Sequence, residues 1–149
     1  MFQLDHTLEI DAPAETVWKV LTDFQSYGEW NPFTVSAKCD LKPGGAIEMQ
    51  VKLMAKPQFQ REWIREVTPG QGFSYAMKPM PLGALRSFRS HRIEPVSATH
   101  CRYRSHFEIQ GWLEGLVLAL FRGAFERGFG GMSQGIKSRA ESLWAAQKK

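Results

Sequence analysis

Cysteine is scarce in this sequence: Cys39 and Cys101 are the only two. A small chain stapled by disulfides needs a denser framework, so free thiols, as in the cytosol, are the expected state, and a cytoplasmic location goes with them. The two do not stand at a metal-ligand spacing, and no metal is expected. Each falls in a predicted strand, where a free cysteine serves as a small buried hydrophobe. Long hydrophobic runs are also missing. The longest, Leu116 to Phe121, is bracketed by Glu114 and Arg122 and is far shorter than the roughly 20 residues that cross a bilayer. No basic-then-apolar leader opens the sequence, so no secretory signal is expected. There is no phosphate loop and no nucleophile–base–orienter pattern, and no cofactor is expected. No repeat, low-complexity segment or linker divides the chain.

What is present is ordinary for a folded domain. Hydrophobic residues make up 43% and charged residues 23% of 149 positions, which suits one domain over residues 1–149 with one core. The formal net charge is +4. Its densest basic group, Arg86, Arg89, Arg92, Arg102 and Arg104, falls on two predicted adjacent strands. With no nucleic-acid motif beside it, this group reads as a solvated sheet face, and no nucleic-acid partner is expected.

Periodicity orders the chain. Phe2, Leu4, Leu8 and Ile10 alternate with polar residues, which predicts a half-buried strand with His6 on its apolar face. Pro13 suits the first position of a helix. Val17, Val20, Leu21 and Phe24 then recur at helical spacing, with Trp18 widening the face, and Tyr27 to Trp30 makes a short second helical turn. From residue 34 the period becomes two. Strands are predicted at 34–40, 46–54, 58–68, 73–78, 85–94 and 99–110, separated by turns such as Lys42-Pro43-Gly44-Gly45 and Pro69-Gly70-Gln71-Gly72. A long helix occupies roughly 112–146. Leu118, Phe121, Phe125, Phe129, Met132, Ile136, Ala140 and Leu143 form its apolar stripe, with Glu126, Ser133, Lys137 and Glu141 opposite. Successive strands with hairpin-length turns imply an antiparallel sheet, and the single long helix must bury its stripe on the concave side. The fold class is α+β: a seven-stranded antiparallel sheet around a long C-terminal helix, with two short helices after strand 1.

The segment from Ile10 to Phe33, a strand end, a Pro-led helix with Val17, Trp18, Val20 and Leu21, a second short helix and the corner Trp30-Asn31-Pro32-Phe33, resembles the N-terminal signature of the START-like superfamily, also called SRPBCC. The resemblance extends over nearly the whole chain. It implies a helix-grip fold around an internal cavity and a small-molecule ligand of apolar character. It specifies fold far better than activity.

Positions facing such a cavity follow from strand alternation. On the predicted strand 85–94, Leu85, Ser87, Arg89, His91 and Ile93 share one face, and His91-Arg92-Ile93 is similar to a pattern in the superfamily that turns His91 and Ile93 inward. An inward Arg89 needs an anionic partner, since an unpaired buried charge is very costly. Glu48, Glu62, Glu108 or a ligand carboxylate or phenolate are the options, beside a solvated Arg89 after a strand twist. On the last strand Cys101, Tyr103, Ser105, Phe107 and Ile109 face in, leaving Arg102, Arg104 and His106 outside. Trp63, Tyr75 and Met77 are expected in the wall. Trp30 reads as a lining residue or, preferably, a plug, with Phe33 beside it. From the long helix come Phe121, Phe125 and Met132. A second helix row, Val117, Ala124, Gly128, Gly131 and Gly135, either leaves room for ligand at Gly128 and its neighbours or lets the helix pack closely; each glycine costs about 0.5–1 kcal/mol against alanine. The apolar loop Met80 to Ala84 reads as a lid or as a contact to a protein partner.

Three functions are compatible with this pattern. The first is non-catalytic binding of an apolar, weakly acidic small molecule. The second is a polyketide cyclase or aromatase-like enzyme, in which His91 and Tyr75 are the acid–base candidates, Arg89 stabilises an enolate and His6 is a weaker third choice. The third is an Hsp90 co-chaperone-like interaction module. The first is the preferred expectation.

Overall fold

The computed structural model describes residues 1–148. β1 (Phe2–Ile10) forms where the alternation predicts it, with its even-numbered residues turned inward. α1 (Ala14–Thr22) buries Val17, Val20 and Leu21. Pro13 stands at the cap of α1 rather than inside its first turn. Its carbonyl accepts from Thr16 and Val17 N–H at 3.0 and 3.3 Å. The chain leaves α1 at Asp23 and continues as a 3₁₀ helix, Phe24–Glu29, so the second short helix begins three residues before the expected Tyr27.

Six strands follow: β2 (Thr34–Cys39), β3 (Ala46–Val51), β4 (Gln58–Thr68), β5 (Gly72–Ala76), β6 (Arg86–Ser97) and β7 (His100–Gln110). The sheet order is β1-β7-β6-β5-β4-β3-β2, and every neighbouring pair is antiparallel. β6 runs past the expected Glu94 because a register shift between Pro95 and Ser97 accommodates the proline, which cannot donate to a ladder.

α2 (Glu114–Gln147) has 34 residues, about 50 Å at a rise of about 1.5 Å per residue. It packs against β1, β7 and α1. Phe125, Phe129, Met132, Ile136 and Ala140 are its buried stripe. Two expectations for this helix need correction. Ser133 is buried, not outward, because its hydroxyl donates to the Phe129 carbonyl at 2.9 Å and so needs no solvent. Leu143, expected on the stripe, is exposed. The whole is a helix-grip fold: a curled antiparallel sheet of seven strands holding a long C-terminal helix.

Candidate functional site

The interior is filled at one end and hollow at the other. The corner after the 3₁₀ helix explains part of this. Asn31 Oδ1 accepts from the Phe33 and Thr34 N–H groups at 3.0 and 2.9 Å, which turns the chain sharply. Phe33 then lies over Gly128, where its ring occupies the space a side chain would need. A methyl added to Gly131 would lie 3.1 Å from Pro32, and one added to Gly135 would lie 2.6 Å from the Trp30 carbonyl. The helix glycines therefore seat the Trp30–Phe33 corner. Trp30 packs edge-on against Tyr27, centroids 5.0 Å apart, and is not among the cavity's lining residues.

Beyond Phe33 a cavity of about 410 Å³ opens between the first half of α2 and strands β3 to β7. It is two-sided. α2 supplies Val117, Phe121, Phe125 and Phe129, and the sheet adds Met49, Val51, Leu53, Met77, Leu85, Phe107 and Ile109. The polar groups lie on the sheet side: Thr34, Gln60, Arg61, Glu62, Tyr75, Ser87 and Arg89.

Arg89 dominates the electrostatics. It is only 2% exposed, and among the described residues no carboxylate oxygen lies within 4.0 Å of it. Its guanidinium donates to Ser105 Oγ and, at 3.4 Å, to the His106 carbonyl. It also approaches Met132 Sδ at 3.5 Å and sits 4.6 Å from the centre of the Phe129 ring. Its Nε has no partner among the described residues. These contacts are neutral. They hold the cation in place without cancelling its charge, and a buried charge left so is unusual.

Glu62 also lines the cavity. Burial pushes its carboxyl up to about 7, against the pull of the Arg89 charge. Tyr75, on the strand between them, is buried. Desolvation raises its phenol well above the usual value, again opposed by Arg89.

The other predicted residues fall elsewhere. His91 is buried outside the cavity wall, with Nδ1 2.6 Å from Tyr103 Oη and its ring against Phe73, centroids 4.9 Å apart. Burial, then the Arg89 charge, lowers its pKa well below the normal histidine value, so it is neutral. Tyr103, Ser105 and Met132 belong to this filled end, where Ser105 and Met132 touch Arg89. His6 faces Gly130 of α2, and burial lowers its pKa. Trp63 pairs with Ala76 and lies on the outer sheet face, 36% exposed, because Glu62 and Ile64 are the residues of β4 that turn inward. Phe33, Tyr75, Met77, Arg89, Phe107, Phe121 and Phe125 are the predicted residues that the structure brings together around the cavity.

Sequence reading named Glu62 only as a possible partner of Arg89 and put Trp63, not Gln60 and Glu62, in the wall. Gln60 and Glu62 were visible as the partners of Trp63 in alternation, yet aromatic character favoured the wrong face. Met49, Val51 and Phe129 were legible only as core, whereas Ile109 was expected to face the cavity and does. On the outer surface, Glu9 pairs with Arg102 at 2.7 Å and Glu94 with Arg104 at 2.8 Å. Much of the basic hairpin is thereby neutralised.

The chain matches the family described as polyketide cyclase / dehydrase and lipid transport over residues 1–141. A START-like helix-grip protein is the class that fold and match define, and the chain belongs to this family. No curated protein matches it by sequence. Among solved structures it is similar to the Zhui aromatase/cyclase from a Streptomyces species, with TM-score 0.73 and 14% identity over 99% of this chain and 96% of that one. It is also similar to a START superfamily protein from Mycobacterium smegmatis, with TM-score 0.71 and 16% identity over 95% and 98%. The di-domain ARO/CYC BexL aligns with TM-score 0.73 and 17% identity over 95% of this chain, which spans 47% of that one. At such identities the likeness concerns the fold.

Proposed function

We propose that the protein binds an apolar small molecule bearing an acidic oxygen in the cavity beneath α2. The observation that carries this reading is Arg89: a wholly buried cation at the wall of an apolar space, with no carboxylate in contact among the described residues. A carboxylate, phenolate or enolate on the ligand supplies the missing charge, and the phenylalanines of α2 receive a flat apolar body. Native mass spectrometry of freshly purified protein, followed by organic extraction, tests for such a molecule. A fluorescent anilinonaphthalene sulfonate probe gives the second readout: it binds wild type and is lost from Arg89→Ala. Equal binding to both proteins, at a site from which apolar acids cannot displace it, contradicts the assignment.

A cyclase-like activity is the second reading. What favours it is the grouping of Glu62, Tyr75 and Arg89 around one cavity, with a carboxyl near neutrality. Such a carboxyl is suited to proton abstraction beside a cation that stabilises an enolate. Zhui, named as an aromatase/cyclase, shares the fold. Turnover of a polyketone by wild type, abolished in Glu62→Gln with folding intact, supports this reading. Binding of the polyketone without turnover leaves the carrier reading in place.

A further inference from the structure

The two oppositely charged inner groups of the cavity, Glu62 and Arg89, do not touch. Register gives the reason. Ile64 pairs with Tyr75 and Tyr75 with Arg89, so Glu62 lies one inward row from Arg89 and two strands away. At about 4.8 Å per strand and about 6.8 Å per inward row, their Cα atoms are roughly 12 Å apart. Both side chains line the same cavity from the sheet, on either side of the strand that carries Tyr75.

Among the described residues, Arg89 is the one charge that faces Glu62 across the cavity from another element. β3 turns Ile47 and Met49 inward, β2 offers Thr34, and α2 offers Val117, Phe121, Phe125 and Phe129. On β4 itself Arg61 pairs with Glu48 at 3.5 Å. β5 brings Tyr75 and Met77, and β6 brings Ser87 and Arg89. An anion seated at Arg89 therefore puts a second negative charge into an apolar space already holding the Glu62 carboxylate. Like charges so placed drive one of them to take a proton, and a carboxyl already raised to about 7 by burial is the one that does.

Resting on the cavity-binding reading, we infer that Glu62 is the proton acceptor of the cavity: an apolar oxygen acid lodges its anionic oxygen at Arg89 while Glu62 gains a proton, so the net charge of the cavity is unchanged. A carboxylic acid arriving as its anion draws that proton from solvent. A phenol or enolisable ketone arriving neutral supplies it: its O–H or C–H bond breaks, the electron pair stays on the ligand with charge on the oxygen facing Arg89, and the proton goes to the Glu62 carboxylate. The ligand class is an oxygen acid on a flat apolar body, not a cation and not a neutral lipid.

Calorimetric titration with naphthoate, in buffers of differing ionisation enthalpy, counts the protons exchanged. At about pH 8 wild type takes up close to one proton per naphthoate, and at about pH 6 close to none, with affinity falling about tenfold between the two. Glu62→Gln binds naphthoate with no uptake and no such pH dependence. Naphthalenemethanol, the neutral control, binds without uptake. Naphthoate binding at about pH 8 without proton uptake by wild type, or with uptake preserved in Glu62→Gln, overturns the inference. If the alcohol binds and naphthoate does not, the cavity takes apolar molecules, but the acidic-ligand reading and the inference both fail. If neither binds, the cavity reading itself fails and takes the inference with it.

Discussion

The two ends of the interior share the same strands and the same helix but have opposite character. At the filled end, Ile10, Ile93, Cys101, Tyr103, Ile136 and Ala140 have essentially no exposure. At the other end, Phe107, Phe121, Phe125 and Tyr75 surround about 410 Å³ of open volume. β6 crosses both: His91 and Ile93 belong to the first, Ser87 and Arg89 to the second. The difference lies in what covers the sheet. α1 packs on β6, β7 and α2 and closes the filled end. At the hollow end the first half of α2 lies over the sheet, and the loop around Pro81–Gly83 sits beside its start. That loop is held by the Leu113 N–H donating to the Ala84 carbonyl at 2.9 Å and by Trp112 Nε1 donating to the Leu82 carbonyl at 3.1 Å. Leu82 itself is 93% exposed with a φ of 58°, a left-handed backbone uncommon for leucine. One helix too few, rather than any special chemistry, makes this fold hollow. The chemistry is then set by which strand residues face the gap.

The largest expected effect comes from breaking the filled end. Ile136→Ala removes a fully buried side chain and should cost about 3 kcal/mol. That lowers Tm by roughly 8 °C. Phe121→Ala, at the hollow end, should cost only about 1 kcal/mol while changing which probes bind. Equal losses in thermal melts contradict the division into two ends. Next, Gly135→Ala forces the Trp30 corner off the helix and should cost about 2 kcal/mol, measured by urea unfolding.

Glu62→Gln sharpens the comparison through pH. The folded carboxyl titrates at about 7, above the unfolded value near 4.3. The stability associated with its protonated form is thus full below about pH 4.3 and lost as pH rises through about 7. Glu62→Gln should therefore raise Tm by several degrees at about pH 8 and leave it unchanged at about pH 4. A uniform shift at both pH values contradicts the assignment. The smallest effect is at Gly115, where nothing lies within 4 Å of an added methyl. Gly115→Ala should stabilise by about 0.5 kcal/mol, against the loss at Gly135.

The sequence carried the architecture almost completely, because strand alternation, turn residues and the stripe of α2 all pointed to one sheet gripping one helix. The cavity was harder to read. Arg89 was legible as inward from alternation with His91 and Ile93, and its need for an anion followed from its charge. β4 misled because hydrophobic-in alternation fails where a strand faces a polar-lined gap: Trp63 went outside and Glu62 inside. The glycine row of α2 was legible as small, but only the three-dimensional contacts with Trp30, Pro32 and Phe33 show what fills it. His91 was legible as buried, while its closure against Tyr103 and Phe73 depends on strand pairing that no single segment encodes.

Methionines placed at both ends and on the surface serve as reporters of where a ligand sits. Met49 and Met77 line the cavity, Met54 and Met80 are exposed outside it, and Met132 is fully buried. Methyl NMR of methionine-labelled protein during naphthoate titration should shift Met49 and Met77 most, Met132 less through its contact with Arg89, and leave Met54 and Met80 in place. Shifts confined to Met54 and Met80, with Met49 and Met77 unmoved at saturation, would contradict the claim that the hollow end is the binding site.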